Sequence, residues 1–200
     1  MVVYGNWAYL SVTRVLWIFE FYGHQKIQLL QKGYQGWQRQ NYPTAQKSKL
    51  LAPSKYTIQL NSEKLASKFQ MFMATKSSDV TIIDARSHDQ FIGDKSYTNR
   101  KGHIATAINI PWFETLENRT DNDEFDVNNK LTDYKSIDKL NKIFSNLPKN
   151  KTIILYCNAG AESSVLHFAL KKTGRVAQIY DGSWYEWSAD PKMPVVQGEY

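Results

Sequence analysis

The sequence predicts an α/β protein with a parallel sheet flanked by helices, and three observations carry that reading. Short apolar, β-branched runs at residues 80–84 and 152–156 have the length and composition of buried strands. They alternate with stretches of helical periodicity, which calls for crossover connections and parallel pairing. In residues 151–174 a strand, a loop and a helix follow one another without a gap, and Gly174 stops the helix.

Residues 1–40 read as a strand (1–4), a loop (5–7), a helix (9–22), a strand (26–30) and a turn through Gly33, Gly36 and Trp37. The helix carries Val12, Val15, Leu16, Trp17, Ile18, Phe19 and Phe21, so it needs cover on most sides. It is not read as a membrane span, because Arg14 and Glu20 interrupt an apolar run shorter than the roughly 20 residues a span requires. Residues 41–55, with Pro43, Pro53, Lys47, Lys49 and Lys55, have the composition of a solvated linker.

From residue 56 onward one complete domain is expected. Residues 62–75 predict an amphipathic helix with Leu65, Phe69, Phe72 and Met73 on one side, and residues 80–84 a buried strand that ends in Asp84, Ala85 and Arg86. Residues 107–111 start another apolar segment, residues 114–129 read as an acidic surface loop, and residues 136–147 predict a helix through Ile137, Leu140, Ile143 and Phe144. Strand 152–156 then leads into Cys157, the only cysteine of the chain, and into a helix on which Val165, Phe168 and Ala169 recur. The order strand, loop, helix, strand, turn is the same in residues 1–40 and 151–184, so the chain reads as an internal repeat, with Gly5 where Cys157 stands.

A thiol at a strand-to-helix junction faces unpaired amides and the positive end of the helix dipole, which can lower its pKa into the range of about 3.5–7.5. A buried structural cysteine is the alternative. The small residues Asn158, Ala159, Gly160 and Ala161 give a loop able to turn its amides inward, and Ser163 and Ser164 stand where a helix N-cap is expected.

Composition narrows the classes. With 42% hydrophobic and 14% aromatic residues a packed core is expected, and a single cysteine suits a reducing compartment, hence a cytoplasmic setting. The net charge of +6 lies in residues 1–55, which hold seven Lys/Arg and one acid, whereas residues 56–200 hold eighteen of each. No basic stripe interleaved with aromatics is present, so no nucleic-acid partner is expected, and no membrane partner. His24, His88, His103 and His167 are too scattered to predict a zinc site, and no metal or cofactor is expected.

Cys157-Asn158-Ala159-Gly160 opening a helix, with Tyr180-Asp181-Gly182-Ser183-Trp184 downstream and Arg100-Lys101-Gly102-His103-Ile104 upstream, resembles the rhodanese sulfurtransferases, in particular the tandem-domain thiosulfate and 3-mercaptopyruvate enzymes. The resemblance implies a catalytic rhodanese domain over residues 56–200, preceded by the second half of an inactive rhodanese-like domain over residues 1–40. It implies that Cys157 carries a persulfide cradled by Asn158, Ala159, Gly160, Ala161, Glu162 and Ser163. Arg86 and Arg100 are then expected to bind the anionic donor or to hold the loop, against an ion pair of Arg86 with Asp84 or Asp89 and an exposed position for Arg100. The donor would be thiosulfate or 3-mercaptopyruvate, and the acceptor a thiol or cyanide. A chain that starts within a domain would leave apolar surface, from which self-association is expected. Glu162 has two readings: it complements the helix dipole, or it points into the loop and opposes a thiolate.

Two other functions compete. A cysteine phosphatase would need an arginine six positions after the cysteine, where this chain has Ser163. An inactive module that binds anions or a partner without turnover is the reading outside enzymology.

Overall fold

The computed structural model describes residues 1–5, 9–48, 50–117 and 133–199. In chain order its elements are β1 (Val2–Val3), α1 (Tyr9–Phe21), β2 (Gln28–Leu29), α2 (Gly33–Arg39), β3 (Leu65–Ala66), α3 (Lys68–Ala74), β4 (Val80–Asp84), α4 (His88–Ile92), β5 (His103–Ile104), β6 (Ile108–Asn109), α5 (Ile137–Ile143), β7 (Thr152–Tyr156), α6 (Ala161–Lys172), β8 (Gln178–Tyr180), α7 (Ser183–Ala189) and β9 (Val195–Val196).

The central sheet has five parallel strands in the order β3-β8-β7-β4-β6, so β7 is its middle strand. Alternation along β7 explains why it reads as uniformly apolar: Ile153 and Leu155 face one layer, Ile154 and Tyr156 the other, and both layers are covered. Leu140 of α5, Phe144 at its C-cap and Val165, Leu166, Ala169 and Leu170 of α6 fill the first layer, while Met71, Phe91, Trp184 and Trp187 from α3, α4 and α7 fill the second.

Residues 1–40 belong to the same core. Trp17 of α1 is buried in the first layer with Val165 and Ala169, and Leu10, Ile18 and Leu29 pack against it. A buried hydroxyl pair, Thr13 Oγ1 to Ser164 Oγ at 2.8 Å, ties α1 to α6. At the far end of the two helices the Glu20 carboxylate is buried between Lys171 and Lys64. Strands β1 and β2 pair in parallel on either side of α1, the arrangement that β7 and β8 make around α6. Val15 and Phe19 of α1 and Tyr22 just after it are left exposed. Residues 50–60 run exposed and without regular structure to Asn61, whose N–H donates to the Phe21 carbonyl.

The helix expected over residues 62–75 is corrected. Ser62–Lys64 form a 3₁₀ turn, Leu65 and Ala66 pair with β8, and the helix begins only at Lys68. The reason is a capping box: the Ser67 hydroxyl accepts the Gln70 N–H at 3.2 Å and the Gln70 side chain accepts the Ser67 N–H at 2.8 Å, which fixes the start against the longer periodicity. Phe69, predicted on the apolar side, is 71% exposed. Residues 118–132, most of the expected acidic loop, lie outside the described residues, and Glu114 falls instead in the 3₁₀ turn Trp112–Thr115. The loop residues Asn6 and Trp7 also lie outside them.

Candidate active site

Cys157 directly follows the middle strand, at the carboxyl end of the sheet, which is where ligands sit in open parallel sheets. It is fully buried. The loop after it closes through Gly160, whose left-handed conformation (φ 84°) starts α6 and aims its N–H at the sulfur, 3.0 Å away. Ser163 lies in the first turn of the helix, accepts the thiol proton at 3.6 Å and donates to the Gly160 carbonyl at 3.1 Å. A hydroxyl can rotate, so the same group can donate to the sulfur once the thiol has lost its proton.

Two expectations about this loop are corrected. The helix N-cap is Gly160, not Ser163 or Ser164, whose hydroxyls bond back to the carbonyls of Gly160 and Ala161 within the first turn. The thiol is also not acidic. Burial pushes Cys157 up to about 12, and the Glu162 carboxylate adds to that. Hydrogen bonds from the backbone and hydroxyl of Ser163 and the backbone of Ala159 pull the other way without overcoming desolvation.

Glu162 points into the loop. Its carboxylate accepts the Asn158 N–H at 3.2 Å and the Asn158 side-chain amide at 3.3 Å and 3.4 Å. The Asn158 amide therefore serves the carboxylate rather than the sulfur. On its other side the Asn158 Oδ1 accepts from Gln90 of α4 at 3.4 Å, and the Asn158 carbonyl accepts the Tyr185 N–H of α7. Gln90 is thus a support of the loop that the sequence did not single out. Ala159 and Ala161 contribute backbone only, and Ala159 is exposed at the loop tip.

Both predicted arginines are engaged by groups outside the sulfur loop. Arg86 is 1% exposed: it grips Asp84 through Nε and Nη2 at 2.5–3.0 Å, donates to the Gly102 carbonyl at 2.8 Å and stacks on Trp184, 4.5 Å from the ring centroid. This is the Asp84 ion pair of the sequence reading. Arg100 donates to the carbonyls of Asp190 at 2.7 Å and Met193 at 2.9 Å and lines a cleft with Tyr97, Thr98 and Tyr185. His103 is buried and stacked on Phe91, with Nδ1 2.8 Å from that residue's carbonyl.

Arg14 of α1 is a cation that reaches the loop. Its Nη1 lies 2.6 Å from Asp181 Oδ1, and its guanidinium lies 4.7 Å from the Trp17 ring centroid. A Cβ on Gly160 would meet Asp181 Oδ1 and, at 2.8 Å, Arg14 Nη1. Nothing in the spacing of residues 14, 160 and 181 signals this contact; only the packing of α1 on α6 creates it.

The rhodanese-like domain family matches residues 67–190. The chain belongs to that family. Curated relatives include a 3-mercaptopyruvate sulfurtransferase of Escherichia coli, 27% identical over 201 residues that cover 98% of this chain and 67% of the relative. A thiosulfate sulfurtransferase of Corynebacterium glutamicum is 26% identical over 215 residues, covering 100% and 66%. The chain therefore spans about two thirds of the length of these relatives. Among solved structures, wild-type EanB matches with a TM-score of 0.82 at 21% identity over 100% of this chain and 50% of that one, a likeness of fold. Among the described residues no group of three or more His, Cys, Asp or Glu could hold a metal ion, and no helix is long and apolar enough to cross a membrane.

Proposed function

We propose that this protein is a sulfurtransferase that moves a sulfane sulfur from thiosulfate or 3-mercaptopyruvate to a thiol or cyanide through a persulfide on Cys157. The observation that carries the proposal is the position of the Cys157 sulfur, after the middle strand and 3.0 Å from the Gly160 N–H at the head of α6. A single thiol so placed has an amide donor for a sulfur-centred anion, and relatives named for both donors support the reaction class.

With thiosulfate, the Cys157 thiolate attacks the outer sulfur, the S–S bond of the donor breaks and its electron pair leaves on sulfite. The persulfide then gives its terminal sulfur to the acceptor: cyanide forms a bond to that sulfur, the persulfide S–S bond breaks and thiocyanate leaves as the thiolate is restored. The resting thiol must first lose its proton, so the buried, raised thiol predicts a rate that climbs through the alkaline range. The division into a partial domain (1–40), a linker (41–55) and a catalytic domain (56–200), with residues 1–40 as an internal repeat, belongs to this reading. So do self-association through the exposed Val15, Phe19 and Tyr22 and a cytoplasmic setting that keeps the thiol reduced.

Cys157→Ser tests the proposal. The hydroxyl occupies nearly the same space but forms no persulfide, so turnover with thiosulfate and with 3-mercaptopyruvate should fall to background while the melting temperature holds. Sulfur transfer retained by the folded variant would overturn it.

A further inference from the structure

The Arg14–Asp181 pair joins an element of residues 1–40 to the loop that follows β8, and it does so against the outer side of Gly160. The inner side of the same glycine carries the N–H that meets the sulfur. Arg14 Nη1 and Asp181 Oδ1 meet as an ion pair off the hydrogen-bond axis, with side chains 24% and 42% exposed, so each charge is only partly screened. Among the described residues, other charged groups around the sulfur include Glu162, from α6, and the Asp84–Arg86 pair, which reaches the neighbourhood through Trp184.

We propose that Arg14 is a positioning residue of the Cys157 site: paired with Asp181, it holds Gly160 against the sulfur and sets the electrostatic potential of the loop from outside. The proposal rests on Cys157 as the reacting group but not on the identity of the donor. It makes residues 1–40 part of the active site, because the guanidinium of Arg14 on α1 reaches Gly160, whereas Arg86, after β4, is bound to Asp84 and Arg100, before β5, to the carbonyls of Asp190 and Met193. The pair is close to neutral as a unit, so its two members act on the sulfur with opposite sign. Without Arg14, the Asp181 carboxylate stands alone beside Gly160 and disfavours both a thiolate and an anionic donor. Without Asp181, the guanidinium is released beside the same glycine and favours both.

The test compares Arg14→Gln, Arg14→Lys and Asp181→Asn in the full chain. The readout is the pH profile of iodoacetamide alkylation of Cys157, the only cysteine, which reports the thiolate whether or not sulfur is transferred. At about pH 8 Arg14→Gln should react about tenfold more slowly than wild type and Asp181→Asn about tenfold faster, each corresponding to about one pKa unit, with Arg14→Lys near wild type. The KM for thiosulfate should move in the same order, and the differences should shrink at high salt. A bridge that only stabilises the fold would shift both charge-removing variants in one direction, and that result, or no shift in either, would overturn the proposal. Should Arg14→Gln fail to fold, Asp181→Asn alone decides: faster alkylation sustains the proposal, and equal or slower alkylation refutes it. Cys157→Ser separately decides the sulfurtransferase reading, so the two can fail independently.

Discussion

Replacing Glu162 by Gln removes a charge from the sulfur loop while keeping an oxygen that can accept the Asn158 N–H. The carboxylate sits 3.2 Å from the amide of the residue next to Cys157, which places its charge beside the sulfur loop. For a separation of about 6 Å, two unit charges interact by about 3 kcal/mol with an effective dielectric constant near 20. Glu162 is only half-buried, and solvent screening reduces this to about 1.4 kcal/mol, or about one pKa unit. Glu162→Gln should therefore raise the alkylation rate of Cys157 about tenfold near neutral pH and lower the KM for thiosulfate at low ionic strength, with Glu162→Arg going further. The helix-terminus role is separable, because losing an acidic group in the first turn costs about 0.3–1 kcal/mol of stability whatever happens to the thiol. An unchanged alkylation profile in a folded Glu162→Gln variant would show that the charge does not act on the sulfur.

Three further outcomes follow from the same geometry. Gly160→Ala places a Cβ against Asp181 and Arg14 at a backbone angle that costs an ordinary residue about 1–2 kcal/mol, so turnover should drop at least about tenfold; wild-type turnover would refute the tight loop. Arg86→Leu strands the buried Asp84 carboxylate and should cost about 3–5 kcal/mol in denaturant unfolding, whereas a change in donor KM without loss of stability would return Arg86 to donor binding. The Cys157 thiol, raised to about 12 in the folded chain against about 9 when exposed, contributes stability that is intact below about pH 9 and lost as pH climbs toward 12. Cys157→Ser should flatten part of that alkaline slope, and an identical slope in the variant would contradict the burial argument.

Much of the fold was legible because its strongest elements are locally consistent. The runs 80–84 and 152–156 are apolar on both faces, as buried parallel strands must be, and the glycine at 174 ends α6 where the periodicity stops. Cys157 was legible for the same reason, standing at the junction of a clear strand and a clear helix. Details that depend on partners far away in the chain were not. The serines at 163 and 164 look like caps by residue type, but Gly160 reaches the left-handed conformation first and leaves them inside the helix. The helix over 62–75 was overextended because periodicity continues through Leu65, although that residue pairs with Ile179 more than a hundred positions away. The direction of Glu162, the commitment of Arg86 to Asp84 and the arrival of Arg14 at Gly160 are set by tertiary packing. The first two were each one of two open readings, and the third left no local trace.

The central claim, that Cys157 carries the transferred sulfur, is tested most directly by intact-mass measurement after brief incubation with thiosulfate or 3-mercaptopyruvate and removal of the donor. The account predicts a gain of one sulfur atom that is absent in Cys157→Ser and is discharged by cyanide with release of an equal amount of thiocyanate. A wild-type chain that turns over donor without gaining that mass, or a Cys157→Ser chain that gains it, would contradict the account.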